Sequence, residues 1–161
     1  MIEPLATLAA RAAAKLKEDH QTIAVADGAT GGLISAGLLT IPGATAFYLG
    51  GGVIYSLKGR DILLDLNEAE LKGMKSVTEP YALLQARAIR DRFGADWGIA
   101  ESGSAGPTHP MGVPAGRSCI AVVGPGVSQA RSIDTGNEDR IANMEAFALA
   151  ALTLLNEALG A

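Results

Sequence analysis

Apolar residues recur along this chain at two spacings, one typical of helices and one typical of buried strands. The first stripe has apolar residues three or four positions apart, at Leu5, Leu8, Ala12 and Leu16. This spacing, with Pro4 in the first turn, predicts an amphipathic helix over residues 4–18. Residues 22–26 (TIAVA) are almost continuously apolar, which indicates a buried strand. Residues 30–41 have the length and apolar content of a buried helix, for which Thr30 is a candidate cap.

Elements of the same two kinds alternate to the end of the chain. Further strands are predicted at residues 51–56, 96–102, 117–123 and 127–133, the last two joined by a Gly-Pro-Gly turn. Helices are predicted around residues 59–66 and over residues 79–93. A long final helix has one apolar face, formed by Ile141, Met144, Phe147, Ala148, Ala151, Leu152, Leu155 and Leu159.

Strands that alternate with helices define the expected fold class, which is α/β. We predict a three-layer α/β/α sandwich in which helices cover both faces of a mixed, mainly parallel sheet. The chain has 161 residues and no internal repeat or linker, so residues 1–161 are expected to form one domain.

Composition excludes several classes of function. Apolar residues make up 48% of the chain without a membrane-spanning run, and the net charge is −4, so neither a membrane nor nucleic acid is an expected partner. Cys119 is the only cysteine and the two histidines are far apart, so we expect no disulfide, no metal site and no cofactor. The amino terminus lacks the apolar core of a signal peptide, and a cytoplasmic location is expected.

Two segments rich in Gly, Ser, Thr and Ala follow predicted strands and are the candidate ligand-binding loops. Residues 27–32 follow the first strand, and residues 102–107 follow the strand that runs to Glu101. Ligands of α/β sheets bind beyond the carboxyl ends of strands, where small residues let a ligand approach backbone N–H groups. Each loop taken alone is equally well explained as a turn that needs glycine for its backbone angles.

Several separate motifs together resemble one family. The segments VADGATGGLISAGLLTIPGATAFYLGGGVIYS, SVTEP, ESGSAGP, VPAG and AFALAAL have the order and spacing of the CinA carboxyl-terminal domain family, over about residues 5–157. That family includes the nicotinamide-nucleotide amidases called PncC. The resemblance implies an α/β/α domain that assembles into homo-oligomers. It also implies a small-molecule nucleotide ligand similar to nicotinamide mononucleotide (NMN), whose carboxamide the amidases hydrolyse with release of ammonia.

The resemblance further implies a catalytic serine that is assisted by a tyrosine and a lysine. The motif Glu-Ser-Cys-Thr-Gly-Gly of the family reads here Asp27, Gly28, Ala29, Thr30, Gly31 and Gly32. The motif Tyr-Ser-Asn-Glu-Ala-Lys keeps Tyr55 and Ser56 but has Arg60 at the lysine position. The motif Ser-Gly-x-Ala-Gly-Pro is kept as Ser102, Gly103, Ser104, Ala105, Gly106 and Pro107. Arg140 lies later than the arginine of the family pattern.

These substitutions remove the usual amidase chemistry. Gly28 has no nucleophilic atom, and the guanidinium of Arg60 stays charged at physiological pH, so it cannot accept the proton of a nucleophile. Thr30 and Tyr55 are the candidate catalytic residues if the chemistry is rearranged, with Lys58 as a possible helper. Asp27 could activate a water molecule, but a carboxylate at this position is more often a turn or helix-cap residue. The candidate binding residues are Asp27, Gly28, Ala29, Thr30, Gly31, Gly32, Tyr55, Arg60, Ser102, Gly103, Ser104, Ala105, Gly106 and Arg140.

Three hypotheses follow from the sequence. The first is a protein that keeps the ligand cleft of the family but has lost the ordinary amidase chemistry, and that serves in binding or assembly. The second is an active hydrolase of NMN or a related amide with rearranged residues. The third is a structural oligomer whose glycine-rich loops are only turns. The first two predict that Gly28, Tyr55 and Ser102 line one cavity.

Overall fold

The computed structural model describes residues 2–161, which form six α-helices and five strands. The helices are α1 (Ile2–Glu18), α2 (Leu33–Leu39), α3 (Leu57–Leu64), α4 (Glu68–Leu71), α5 (Glu79–Phe93) and α6 (Arg140–Leu159). The strands are β1 (Ile23–Asp27), β2 (Tyr48–Val53), β3 (Trp97–Ser104), β4 (Arg117–Gly124) and β5 (Val127–Asp134). Short 3-10 turns lie at Ala44–Ala46 and Pro110–Gly112.

The five strands form one mixed sheet in the order β2-β1-β3-β4-β5. β1 pairs in parallel with both β2 and β3, whereas β3 with β4 and β4 with β5 pair antiparallel. β2 therefore lies on one side of β1, and β3, the next strand along the chain, lies on the other side. This reversal brings the carboxyl ends of three parallel strands to one edge, the usual ligand-binding position of such sheets.

Side chains of the strands alternate between two faces, and helices cover each face. Ile23 and Val25 of β1 pack into the core formed with α1, α2 and α6, whereas Ala24 and Ala26 pack into the core formed with α5. Because both faces of β1 are buried, its sequence is an almost continuous apolar run. The predicted α/β fold with a mixed sheet between helices is therefore confirmed.

The second strand lies three residues earlier than predicted. It spans Tyr48–Val53, and its pairing with β1 stops at Asp27, whose carbonyl oxygen accepts a hydrogen bond from the Ile54 N–H at 2.7 Å. Because β1 ends there, the following residues have no neighbouring strand to pair with. Tyr55 consequently lies outside the sheet, with 70% of its surface exposed.

Two other boundaries also differ from the prediction. β3 continues to Ser104 because it pairs with β4 as far as Arg117, so the start of the predicted second loop is strand. Ile141, predicted on the apolar face of the last helix, is 70% exposed. The first turn of α6 instead directs Asn143 inwards, where its amide donates to the carbonyl oxygens of Ala105 and Asn137, each at 2.8 Å.

None of the helices in the described part of the chain is long and apolar enough to cross a membrane.

Candidate functional site

A cavity of about 280 Å³ lies where the carboxyl ends of β1, β2 and β3 meet. It is lined by Gly28, Ala29, Ile54, Tyr55, Ser56, Leu57, Ser76, Val77, Tyr81, Gln85, Ser102, Gly103, Ser104, Met111 and Val113. The prediction that Gly28, Tyr55 and Ser102 line one cavity is therefore confirmed. The topology explains it, because each of the three follows or ends a parallel strand at the same edge of the sheet.

Gly28 lies in the cavity wall directly against β3. A Cβ atom at this position would be 2.2 Å from the backbone oxygen of Glu101, far closer than two non-bonded atoms can approach. At the position that the family resemblance assigns to the nucleophile, the backbone of Gly28 thus packs directly on the backbone of β3. No room remains there for a side chain.

Glu101 fastens the first loop to β3, although no motif singled it out. Its Oε2 atom accepts hydrogen bonds from the N–H groups of Gly28 (3.1 Å) and Thr30 (3.0 Å), and its Oε1 atom accepts one from the Ser118 hydroxyl (2.7 Å). The side chain is 1% exposed, and this burial raises the pKa of Glu101, against the opposing effect of its hydrogen bonds. The signal in the sequence was a lone charged residue in a strand that is otherwise uncharged.

Asp27 and Thr30 are both buried, and neither of them lines the cavity. Asp27 accepts hydrogen bonds from the Thr30 hydroxyl (2.7 Å), from the Ile34 N–H (3.0 Å), and from the N–H (3.2 Å) and hydroxyl (2.8 Å) of Ser35. Asp27 therefore satisfies the free N–H groups at the start of α2, and the capping role predicted for Thr30 is wrong. The hydroxyl of Thr30 is committed to this carboxylate.

Gly31 and Gly32 turn the chain from this network into α2. Their φ angles of 64° and 103° lie in the left-handed region that favours glycine. Neither residue is among those that line the cavity, so the structure explains both by backbone geometry.

The second loop contributes Ser102, Gly103 and Ser104 to the cavity wall. The Ser102 hydroxyl accepts a hydrogen bond from the Val77 N–H (3.0 Å), which ties β3 to the segment before α5. Ser104 is 4% exposed, and its hydroxyl has no hydrogen-bond partner in the part of the chain that the structure describes. Ala105 is buried beyond the lining residues.

Arg140, at the start of α6, reaches the mouth of the cavity. Its guanidinium donates to the Gly106 carbonyl oxygen (2.6 Å) and to the Tyr55 hydroxyl (3.1 Å). Neither Arg140 nor Gly106 lines the cavity, but Gly106 binds the Arg140 guanidinium, which in turn binds the lining residue Tyr55. A cation is thus placed beside the exposed aromatic ring at the entrance.

Arg60 lies on α3 outside the cavity lining. It forms an ion pair with Asp61 at 2.9 Å. Burial acts to lower the pKa of Arg60, but hydrogen bonds with Tyr81 and Asp61 outweigh it and raise this pKa. Arg60 therefore stays charged, as the sequence argument expected of a guanidinium.

Two lining residues on α5 were missed by the sequence reasoning. Tyr81 and Gln85 lie one helical turn apart, are both buried, and face the cavity. The sequence predicted this helix from Pro80 near its start and Gly94 past its end, and assigned none of its residues to the site. A glutamine within its buried stripe was the signal that could have found the site.

The described residues 2–161 contain no group of three His, Cys, Asp or Glu side chains arranged to hold a metal ion. Among these residues, those that line the cavity are all uncharged. The cavity is therefore suited to hydrogen bonding and apolar contact with an organic molecule.

The fold is that of an α/β domain with a cavity at the switch point of its sheet. The chain belongs to the CinA C-terminal domain family, whose profile matches residues 5–159. It is 41% identical over 119 residues to a CinA-like protein of Synechococcus sp. (strain CC9902), and 36% identical over 131 residues to one of Gloeobacter violaceus. These alignments cover 73% and 81% of this chain but only 28% and 31% of the two relatives. The chain thus spans about a third of their length.

Solved structures of the same superfamily have the same fold. A CinA superfamily protein of Klebsiella pneumoniae 700603 superposes with a TM-score of 0.88 at 27% identity, covering 97% of this chain and 98% of that one. A competence or damage-inducible protein of Enterobacter asburiae superposes with a TM-score of 0.88 at 29% identity, covering 96% of this chain and 98% of that one.

Proposed function

We propose that this protein binds a small nucleotide similar to NMN in the cavity between β1, β3 and α5 and does not hydrolyse it by the serine mechanism of its family. The observation that carries the proposal is the packing of Gly28. This residue lines the cavity, yet a Cβ there would lie 2.2 Å from the Glu101 backbone oxygen. A serine mechanism needs an oxygen nucleophile at this point.

The position of the assisting base supports the same proposal. Arg60 replaces the family lysine, stays charged, and is paired with Asp61 outside the cavity lining. Two changes at separate positions therefore remove the nucleophile and its proton acceptor.

The binding part of the proposal rests on groups that remain at the cavity. Tyr55 stands at the mouth with Arg140 beside it, and a guanidinium suits the phosphate of a nucleotide. Backbone and hydroxyl groups of residues 102–104 line the interior. Homo-oligomer formation, which the family resemblance implies, is part of the same proposal.

The second candidate is an amide hydrolase with rearranged residues, for which Tyr55 at the cavity is the favouring observation. Thr30 is a poor substitute nucleophile because its hydroxyl donates to the buried Asp27 carboxylate at 2.7 Å. Any such activity would depend on Tyr55.

The test is to incubate the purified chain with NMN while following ammonia release, and to measure NMN binding by calorimetry. We expect saturable binding without turnover, and binding should raise the melting temperature since a ligand of the folded state stabilises it. Arg140→Gln should weaken binding about tenfold by removing a charge-assisted contact to phosphate. Arg87→Gln, at an exposed position on α5 that lines neither cavity, is the control. Turnover that Tyr55→Phe abolishes would establish the second candidate, and absence of binding would leave a structural role.

A further inference from the structure

We propose that Val77 is a positioning residue of the cavity. Its strained backbone, held in place by the Ser102 hydroxyl, fixes that hydroxyl as a hydrogen-bond donor towards a bound ligand. The sequence motifs assigned Val77 no role. The inference rests on the proposed function, because it names the contact that orders the same cavity before a ligand enters.

The backbone of Val77 adopts a conformation that is rare for valine. Its φ angle of 55° lies in the left-handed region, where a branched Cβ crowds the backbone. The other described non-glycine residues with a positive φ angle are His20, Asp65, Lys72 and Met111, and none of them is β-branched. Asp65 and Lys72 end helices, where this conformation is usual. Val77 has no such local explanation.

Tertiary contacts hold Val77 in this conformation. Its N–H donates a hydrogen bond of 3.0 Å to the Ser102 hydroxyl, and its side chain packs against the core beneath α5. The Thr78 hydroxyl donates to the Lys75 carbonyl oxygen at 2.6 Å and closes the turn that leads into α5. Strained backbone persists only where its surroundings over-determine it, and it clusters at functional sites. Val77 lines the cavity, so its strain points to a role in binding.

The same hydrogen bond determines how Ser102 can contact a ligand. Ser102 lines the cavity and is 8% exposed. Its hydroxyl oxygen accepts the Val77 N–H, and within the described residues no acceptor receives its own O–H. The single hydroxyl proton is therefore left for an acceptor atom of the ligand. A donor that is already in place loses less freedom on binding, which strengthens the contact.

The strain is tested without a ligand by substitutions at two valines that line the cavity. Val77→Gly should melt about 2–4 °C above Val77→Ala, because glycine adopts the left-handed conformation without strain and alanine does not. Val113 is the matched control, since it is also half-buried and its φ angle is not positive. There the ordinary order should hold, with Val113→Ala melting above Val113→Gly.

The positioning role is tested by NMN binding, measured by isothermal titration calorimetry of the full chain. Ser102→Ala should weaken binding about tenfold through the loss of one hydrogen bond. Val77→Gly keeps the N–H but lets this wall move, and should also weaken binding about tenfold. The double variant should bind no more weakly than Ser102→Ala, because Val77 acts through Ser102.

Two further variants separate the backbone of Val77 from its side chain. Val77→Thr keeps the branched Cβ and the N–H, and should bind NMN within about twofold of the native chain. Val113→Gly removes a lining side chain where the backbone is relaxed, and should weaken binding less than Val77→Gly does.

The proposal is overturned if Val77→Ala melts at or above Val77→Gly, or if the losses of Val77→Gly and Ser102→Ala add in the double variant. Weak binding by Val77→Thr also contradicts it, since the ligand would then need the apolar surface of valine. Failure of the proposed function is distinguishable. If the native chain binds no NMN, both fall, whereas native binding that Val77→Gly leaves unchanged overturns this inference alone.

Discussion

At the scale of single residues, Gly28 and Glu101 fix the position of the loop that forms one wall of the cavity. The loop after β1 packs so closely on β3 that its N–H groups reach the Glu101 carboxylate and position 28 has no room for a Cβ. The absence of a side chain at position 28 therefore follows from the packing of the backbone as well as from the sequence. Returning a serine to position 28 would require the loop to move away from β3.

This packing gives a stability prediction. Gly28→Ala should lower the free energy of unfolding by about 1–3 kcal/mol, the usual cost of forcing extra volume into a packed site. Gly59→Ala, the same change on α3, places its Cβ 3.2 Å from a side-chain hydroxyl and should change stability by no more than about 1 kcal/mol. Urea denaturation measures both. Equal effects would mean that the loop yields easily at position 28.

Glu101 gives a pH prediction. Burial raises its pKa in the folded state above the ordinary value of 4.5, so the folded chain holds this proton more tightly than the unfolded chain. The stability linked to that proton is fully present below the unfolded value and is lost as pH rises through the folded pKa.

Glu101→Gln keeps the shape and can keep the hydrogen bonds, because its amide oxygen can accept from both N–H groups and its amide nitrogen can donate to Ser118. The stability of the variant relative to the native chain should rise between about pH 4 and about pH 8, as measured by urea denaturation at each pH. Glu18→Gln, at an exposed position, should show no such trend. A parallel pH dependence for native and Glu101→Gln chains would show that Glu101 is not the group responsible.

At the scale of elements, the carboxylate of Asp27 joins β1 to α2. α2 begins after two glycines in left-handed conformation. Its N-cap residue, Gly32, has no side chain that could accept a hydrogen bond, so Asp27 supplies the acceptors from the end of the strand. Strand, turn and helix are therefore fixed together by one residue that also holds the Thr30 hydroxyl.

Asp27→Asn should destabilise the fold by about 1–3 kcal/mol, because an amide nitrogen cannot accept the hydrogen bonds that one carboxylate oxygen now receives. Asp139→Asn is the matched control, since Asp139 caps α6 through a single accepted bond from Ala142 N–H and asparagine is an equally good cap. Thermal unfolding of both variants is the measurement. A loss in Asp139→Asn as large as that in Asp27→Asn would contradict this assignment.

At the scale of the whole molecule, apolar side chains remain exposed beside the outer edge of β2. A groove of about 200 Å³ lies there, lined by Ile62, Leu63 and Phe93 and by the glycines Gly51 and Gly52. Ile62 is 63% exposed. β2 is an edge strand in the described sheet, so its outer backbone groups have no strand partner. We propose that a second copy of the chain packs on this face if the protein forms the homo-oligomer proposed above.

Ile62→Glu should therefore shift the native assembly towards the monomer, because it places a charge in an apolar contact. Light scattering coupled to gel filtration measures the mass of each variant. Ile141→Glu makes the same change at a position on α6 that is 70% exposed and does not line this groove, and should leave the mass unchanged. A monomeric native chain, or an unchanged mass for Ile62→Glu, would rule out this face as the contact.

Much of the architecture could be predicted because local patterns carry it. The apolar run of residues 22–26, the stripe of α1 and the Pro80 and Gly94 boundaries of α5 lie at positions close to those predicted. The limits of β2 could not be read from its apolar residues, because they are set by the register with β1. The exposure of Ile141 could not be predicted either, because the inward-facing Asn143 sets the orientation of the first turn of α6.

The sequence by itself determined the α/β class, the family, and the presence of Gly28 and Arg60 where the family resemblance expects a serine and a lysine, since these depend on residue identity and order. Tertiary structure decided which candidates meet. In the folded chain Asp27 and Thr30 support the start of α2, whereas Arg60 lies outside the cavity and Gln85 lines it. The physical reason is that the two sides of a strand or helix face different surroundings. Only the packing of distant elements fixes which side becomes the pocket.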